Sequence, residues 1–212
     1  MVEPVDVIRA FHTAFRNDMA RIDAAALDSA RGREGLNDTI ERFLFFNDVL
    51  VWHAHGEEMG VFPALEQVAP LVAEAYVQDH RGLDLAFDTL NTSFSRQDRL
   101  ETARAAAAFR FHLNMHLNKE DTHLYRIFRE RISLSEQGKA LEIMAGSVPR
   151  ERFPDLVMWL FPLIGHGDRE NVARIWQMVL PAPVFDGVKE LMKKAIGSDW
   201  VELTRRIPTL EP

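Results

Sequence analysis

The sequence predicts an all-α fold, an antiparallel up-down four-helix bundle with a C-terminal helical extension, and three observations lead there. Four long segments carry apolar residues at alternating steps of three and four, the period of an amphipathic helix. The period-two alternation of strands is nearly absent. Short turn signals separate the segments: Gly32 and Gly35 after the first, and a cluster from Thr92 to Ser95 after the third.

The spacing predicts a first helix over residues 4–31, with Pro4 suited to a first-turn position. A second runs over 36–60, and Pro63 marks a break or kink before a short continuation. The third spans 70–91. The fourth, over 96–132, is the longest, and Ser133 with Glu136 three residues on reads as a capping box that opens a shorter helix. After Gly146 the texture changes, because prolines at 149, 154, 162, 181, 183 and 208 keep the helical stretches short. Trp159, Phe161, Trp176 and Phe185 make this tail apolar enough to need a packing surface. The expected organisation is a bundle over 1–133 and a helical extension over 134–212 folded back on it.

Composition narrows the function classes. Hydrophobic residues make up 47% and charged residues 27%, which suits a globular chain and not a disordered one. The net charge of −7 and the lack of a Lys/Arg run argue against nucleic acid. No apolar stretch approaches a membrane span and no signal-like pattern opens the chain, so the expected location is the cytoplasm. There is no cysteine, which removes disulfides, thiolate nucleophiles and iron–sulfur clusters together. Any metal must be held by His, Asp or Glu, ligands that suit iron, manganese or zinc.

The polar residues inside the apolar stripes point to chemistry. Helix one gives Val5, Ile8, His12, Phe15, Met19, Ile22; helix two gives Phe43, Phe46, Leu50, His53, Glu57. Helix three gives Ala73, Tyr76, His80, Leu83, Phe87, Leu90. Helix four gives Ala105, Phe109, His112, His116, Glu120, His123, Ile127. Each stripe holds at least one histidine, and two hold a glutamate one turn after a histidine on the same face. Buried carboxylates need a positive partner, and no Arg or Lys lies on these stripes. A metal pair serves better. Heights agree as well: from a turn near 33, His12 lies about twenty residues before, and His53 and Glu57 about twenty after.

Imidazoles bind iron as neutral ligands, and carboxylates can bridge two metals. The candidate ligands are His12, His53, Glu57, His80, His116 and Glu120, with His112 as a seventh candidate or a supporting group. Glu58 and Asp121 read as surface or supporting groups, His55 as pointing away, His123 as structural, and His166 as a capping or turn residue.

This set resembles the hemerythrin-like (HHE cation-binding) family over roughly residues 5–130. The likeness rests on a lone His12 on helix one, H-x-x-x-E in WHAHGEEMGVFPAL, the histidine of DHRGLD on helix three, and H-x-x-x-E in MHLNKED on helix four. It implies two iron ions, carboxylate-bridged by Glu57 and Glu120 and oxo- or hydroxo-bridged. Oxygen carriers that this pattern resembles have a second histidine one turn after the helix-three histidine, where this chain has Asp84, and H-x-x-x-x-D on helix four. Either His112 supplies the missing nitrogen or that iron keeps an open or water-filled position. Ferritin-like diiron proteins need two E-x-x-H motifs, and the chain offers one, Glu120 to His123. The expected function is a non-heme diiron protein, a peroxidase, catalase-like or oxygen-activating enzyme, reacting with hydrogen peroxide, oxygen or nitric oxide. The alternatives are reversible oxygen storage or oxygen or iron sensing without turnover, and a structural bundle holding no metal, zinc or manganese. Its partner is then a small diatomic or peroxide ligand, and the protein a monomer or homodimer.

Overall fold

The computed structural model describes residues 2–211, and every regular element among them is helical. Helix α1 (Pro4–Ala30) opens on the proline whose fixed φ suits a first turn. Gly32, at φ 74°, follows it in the left-handed conformation that glycine tolerates. Helix α2 (Asn37–Gly56) continues into a π-helical turn, Glu57–Val61, and then α3 (Phe62–Glu66). Helix α4 (Val72–Ser95) starts later than Pro70 because the Glu66 carboxylate accepts hydrogen bonds from the N–H groups of Leu71 and Ala73 at 2.9 and 3.0 Å. These bonds hold Leu71 at φ 68°.

The long fourth segment is divided. Asp98 caps α5 (Arg99–Lys119) by accepting from Leu100 and Glu101 at 3.1 and 3.0 Å, which places 96–98 in the preceding turn. A second π-helical turn, Glu120–Leu124, leads into α6 (Tyr125–Arg131). Ser133 and Glu136 form the expected reciprocal cap at the start of α7 (Leu134–Gly146). Helices α8 (Phe153–Leu160), α9 (His166–Val179), α10 (Ala182–Ile196) and α11 (Trp200–Arg206) follow, short and often opened by proline in their first turn. His166 is the first residue of α9. Among the described residues no helix is long and apolar enough to cross a membrane.

Contacts divide the chain into two compact units, residues 15–147 and residues 2–14 with 148–211, and the boundary passes through the continuous helix α1. In the first unit four helices run antiparallel to their neighbours. Asp18 of α1 meets Arg42 of α2 at 2.6 Å; Arg16 and Asp23 of α1 meet Asp121 and Arg110 in reversed order along α5. Ser93 near the end of α4 meets Thr102 near the start of α5, and Phe43 of α2 stacks on Phe87 of α4. The aromatic core centres on Phe43, whose ring lies 5.4–5.9 Å from those of Phe46, Phe87, Phe94 and Phe109. In the other unit Trp176 lies between Phe153 and Phe161, at 5.4 and 5.7 Å. Buried Arg169 donates to the Phe161 carbonyl and to Asp199.

Helix α7 lies against the α2 end of the first unit at very close range. A Cβ on Gly56 would sit 2.8 Å from the Met144 Cα, and one on Gly60 would sit 2.7 Å from the Ala140 carbonyl oxygen. Both obstructions are backbone, so neither can swing aside. Gly82 is the contrasting case, exposed in mid-α4 with nothing within 4 Å of its would-be Cβ. Urea unfolding is therefore expected to show Gly56→Ala destabilising by about 1–3 kcal/mol through overpacking. Gly82→Ala is expected to stabilise by up to about 1 kcal/mol through helix propensity.

Candidate metal centre

The inward stripes of α1 and α2 are buried residue for residue as their periodicity predicts, and α4 departs only at half-buried Phe87. On α5 the buried set is Thr102, Ala103, Ala106, Phe109, Leu113, His116 and Leu117, and Glu120 follows it, buried, in the π-helical turn. His112 is exposed, one residue and therefore about 100° from Leu113, with its ring edge-on to Phe111. His112, read as a seventh candidate or a supporting group, lies outside the buried groups that could hold a metal. His123 and His55 are also exposed.

Each H-x-x-x-E motif folds the same way. The histidine ends an α-helical stretch and the glutamate is the first residue of a π-helical turn. His53 Nε2 then lies 3.2 Å from Glu57 Oε1, and His116 Nε2 lies 3.4 Å from Glu120 Oε2. The third imidazole comes from α4: His80 Nε2 lies 3.4 Å from Glu57 Oε2 and 3.9 Å from Glu120 Oε1, with no well-formed hydrogen bond. Ligand atoms of Glu57, His80, His116 and Glu120 lie within 4.8 Å of one another, and all four residues are buried. His12 is wholly buried on α1. It lies three residues before Phe15, whose ring meets that of His53 edge-on at 5.2 Å.

The outer nitrogen of His80 is held by a carboxylate, and another carboxylate stands farther off beyond that of His116. His80 Nδ1 lies 2.8 Å from Glu58 Oε1, and His116 Nδ1 lies 3.8 Å from Asp79 Oδ2, itself ion-paired with Lys119. A carboxylate beyond Nδ1 holds the proton there and leaves the Nε2 lone pair directed inward, the usual second layer of a metal-binding histidine. Two ligands at right angles on bonds of about 2.1 Å lie roughly 3 Å apart, close to the nitrogen–oxygen spacings seen here. Donor chemistry and spacing both fit a cation.

Periodicity missed Tyr125. It is wholly buried and its hydroxyl donates to Glu57 Oε1. Five residues separate it from Glu120, out of phase in an α-helix but in phase across an i→i+5 turn. The other π-helical turn repeats the device, carrying Phe62 five residues after Glu57 to stack on His80 at 5.5 Å. The shared spacing H-x-x-x-E-x-x-x-x-aromatic is the signal that could have found both. Tyr76, also buried, bonds the Lys119 carbonyl and His123 Nδ1.

Electrostatics separate the two glutamates. Burial pushes Glu57 upward, but the imidazoles of His53 and His80 outweigh it and hold the carboxyl well below its usual range. Burial drives Glu120 well above that range, and the negative charges of Glu57, Asp121 and Asp79 add to the rise. Burial lowers His80, yet Glu57 and Glu58 raise it further than burial lowers it. Tyr125 is pushed well up by burial and then by Glu57 and Glu120, and Tyr76 is pushed up to about 12 by burial, Glu120 and Asp79. Without a cation the centre therefore keeps protons on Glu120 and His80.

A family model described as Hemerythrin HHE cation binding domain matches residues 3–128. Among curated proteins the chain is 23% identical to Zinc finger protein BRUTUS of Arabidopsis thaliana, over 85% of this chain and 15% of that protein. Two BRUTUS-like zinc finger proteins of the same plant are 23% and 24% identical, over 87% of this chain and 17% and 16% of theirs. The chain thus spans less than a fifth of the length of these relatives, and the zinc finger of their names has no counterpart in its cysteine-free sequence. No solved structure gives a significant match.

The Glu120 shift fixes a pH dependence. Its folded value lies above its unfolded value, so its contribution to the metal-free fold is full below about pH 4.5 and lost as pH rises through the folded value. Glu120→Gln removes that loss. In chelator-treated protein the variant is expected to gain on the parent between pH 5 and pH 8, by on the order of 1–3 kcal/mol in urea unfolding. A constant difference across that range refutes the assignment.

Proposed function

Because the chain belongs to the hemerythrin HHE cation-binding family, we propose that its buried histidines and glutamates hold two iron ions and that the centre reacts with a small oxidant: hydrogen peroxide, dioxygen or nitric oxide. The observation that carries this reading is His80 Nε2, lodged between two wholly buried carboxylates while Glu58 occupies the other ring nitrogen. In this reading His12, His53, His80, His116, Glu57 and Glu120 would hold the irons. Five buried nitrogen and oxygen side chains beside α4, with no thiolate, favour iron over softer-ligand metals.

When bound, a ferrous pair supplies the two electrons that convert hydrogen peroxide, with two protons, to two waters. The chain's own groups set the conditions. Glu58 holds a proton at the outer nitrogen of His80. Tyr125 steadies Glu57 through its hydroxyl, and the rings of Phe15 and Phe62 cover His53 and His80. Turnover is favoured over simple carriage by Asp84, a charged residue where the oxygen carriers that this pattern resembles have a histidine.

A second reading, reversible oxygen binding or sensing without turnover, is favoured by the aromatic rings of Phe15, Phe46 and Phe109, which are wholly buried. Such a lining slows proton delivery. Adding oxygen or peroxide to the reduced protein separates the two: repeated peroxide consumption supports the enzyme, and stoichiometric, reversible colour supports the carrier.

Iron content tests both. The parent is expected to carry about two irons per chain, falling to one or none in His80→Ala, because a lost ligand and its supporting shell cost metal affinity 10–100-fold or more. His112→Ala is expected to leave iron unchanged, since that ring is exposed. Metal analysis after growth in iron-rich medium checks the set, and an iron-free parent ends the proposal.

A further inference from the structure

A cleft between α2, α4 and α5 reaches the centre at His53, His80 and His116. Its volume is about 30 Å³, room for roughly two waters or one diatomic molecule. The rings of His53, His80 and His116 form its base, with exposures of 8, 5 and 5%, whereas Glu57 and Glu120 are 0% exposed. Solvent therefore meets the imidazole side of the centre and not the carboxylate side. Leu50, Leu83 and Phe109 make the walls apolar.

The rim is polar at two points, Asn47 and Asp84. Asp84 lies four residues beyond His80 on α4, about 6 Å along the axis, and is exposed. Among the described residues it has no ion pair or hydrogen bond, and no Lys or Arg lines the cleft to offset its charge. It is also absent from the buried group that could hold a metal. An uncompensated carboxylate over an apolar passage repels anions and leaves neutral molecules unaffected.

We propose that this cleft is the entrance for the small ligand and that Asp84 is its specificity-determining residue, admitting neutral ligands such as hydrogen peroxide, dioxygen or nitric oxide and disfavouring small anions. This rests on the diiron reading. The apolar walls admit a molecule of two or three heavy atoms, and the fixed charge at the rim sorts such molecules by charge. Asp84 lies outside the buried group that could hold a metal, so it acts on entry and binding and not on assembly of the centre.

The test is titration of the iron-loaded, oxidised protein with sodium azide, followed by the visible absorption of the azide-bound form. Parent, Asp84→Asn and Asp84→Asn in high salt are compared, with Asp88→Asn, an exposed acid one turn further along α4, as control. Asp84→Asn is expected to bind azide about 3–10-fold more tightly at low ionic strength, the range for one solvent-exposed charge at this separation. The gap narrows in high salt, nitric oxide binding to the reduced forms stays unchanged, and Asp88→Asn matches the parent. Equal azide affinity in parent and Asp84→Asn, at equal iron content, overturns the inference and leaves the diiron reading standing. Loss of iron in Asp84→Asn makes the residue a ligand and also overturns it. An iron-free parent overturns both.

Discussion

Two carboxylates, Glu57 and Glu120, face each other in the middle of a helical bundle with no exposure to water, and the surrounding structure answers to that fact. Burying one such charge costs several kcal/mol, and burying two together adds their repulsion. Among the described residues, imidazoles from α2, α4 and α5 lie around the pair. In the absence of a cation the repulsion is relieved by protons on Glu120 and His80. A hydrophobic pair at these positions makes a sturdier bundle. Keeping the acids trades fold stability for a place to hold a cation, the exchange expected where function sets the residues.

The two motifs that deliver the carboxylates are built alike and finished differently. Each has a histidine at the end of a regular helix, a glutamate opening a π-helical turn, and an aromatic residue five positions on. The inserted residue widens the turn and brings the aromatic ring back to the inner face. In one copy that ring is Phe62, which stacks on His80; in the other it is Tyr125, which donates a hydrogen bond to Glu57. One side of the centre is therefore closed by an apolar surface and the other by a hydroxyl. The same turn that carries Glu57 also receives α7 through Gly60, so the position of a central carboxylate is tied to a helix outside the four.

Burial confirms how far periodicity alone carries. His12 and His53 sit on stripes whose every member is buried, because α1 and α2 are regular up to those positions. On α5 the same procedure leaves one choice open. Between Phe109 and His116, both buried, either His112 or Leu113 satisfies alternating steps of three and four. The helix places Leu113 inward and His112 outward. The π-helical turn at Glu120 then shifts the phase, which is why His123 turns outward and Tyr125, not Ile127, turns inward.

By itself the sequence determined the all-helical class, the family, and the residues able to coordinate. Those follow from local quantities: hydrophobic period, turn residues, H-x-x-x-E spacing and the absence of cysteine. Only the tertiary structure decided which ring nitrogen of His80 faces inward, since Glu58 acts on it from 22 positions away. It also decided that Asp84 stands at a rim and His112 in solvent, because exposure depends on what the neighbouring helices cover. A helix states its own face through its period, but the charge or ring waiting opposite comes from chain far away in sequence, and that pairing is settled only when the helices pack.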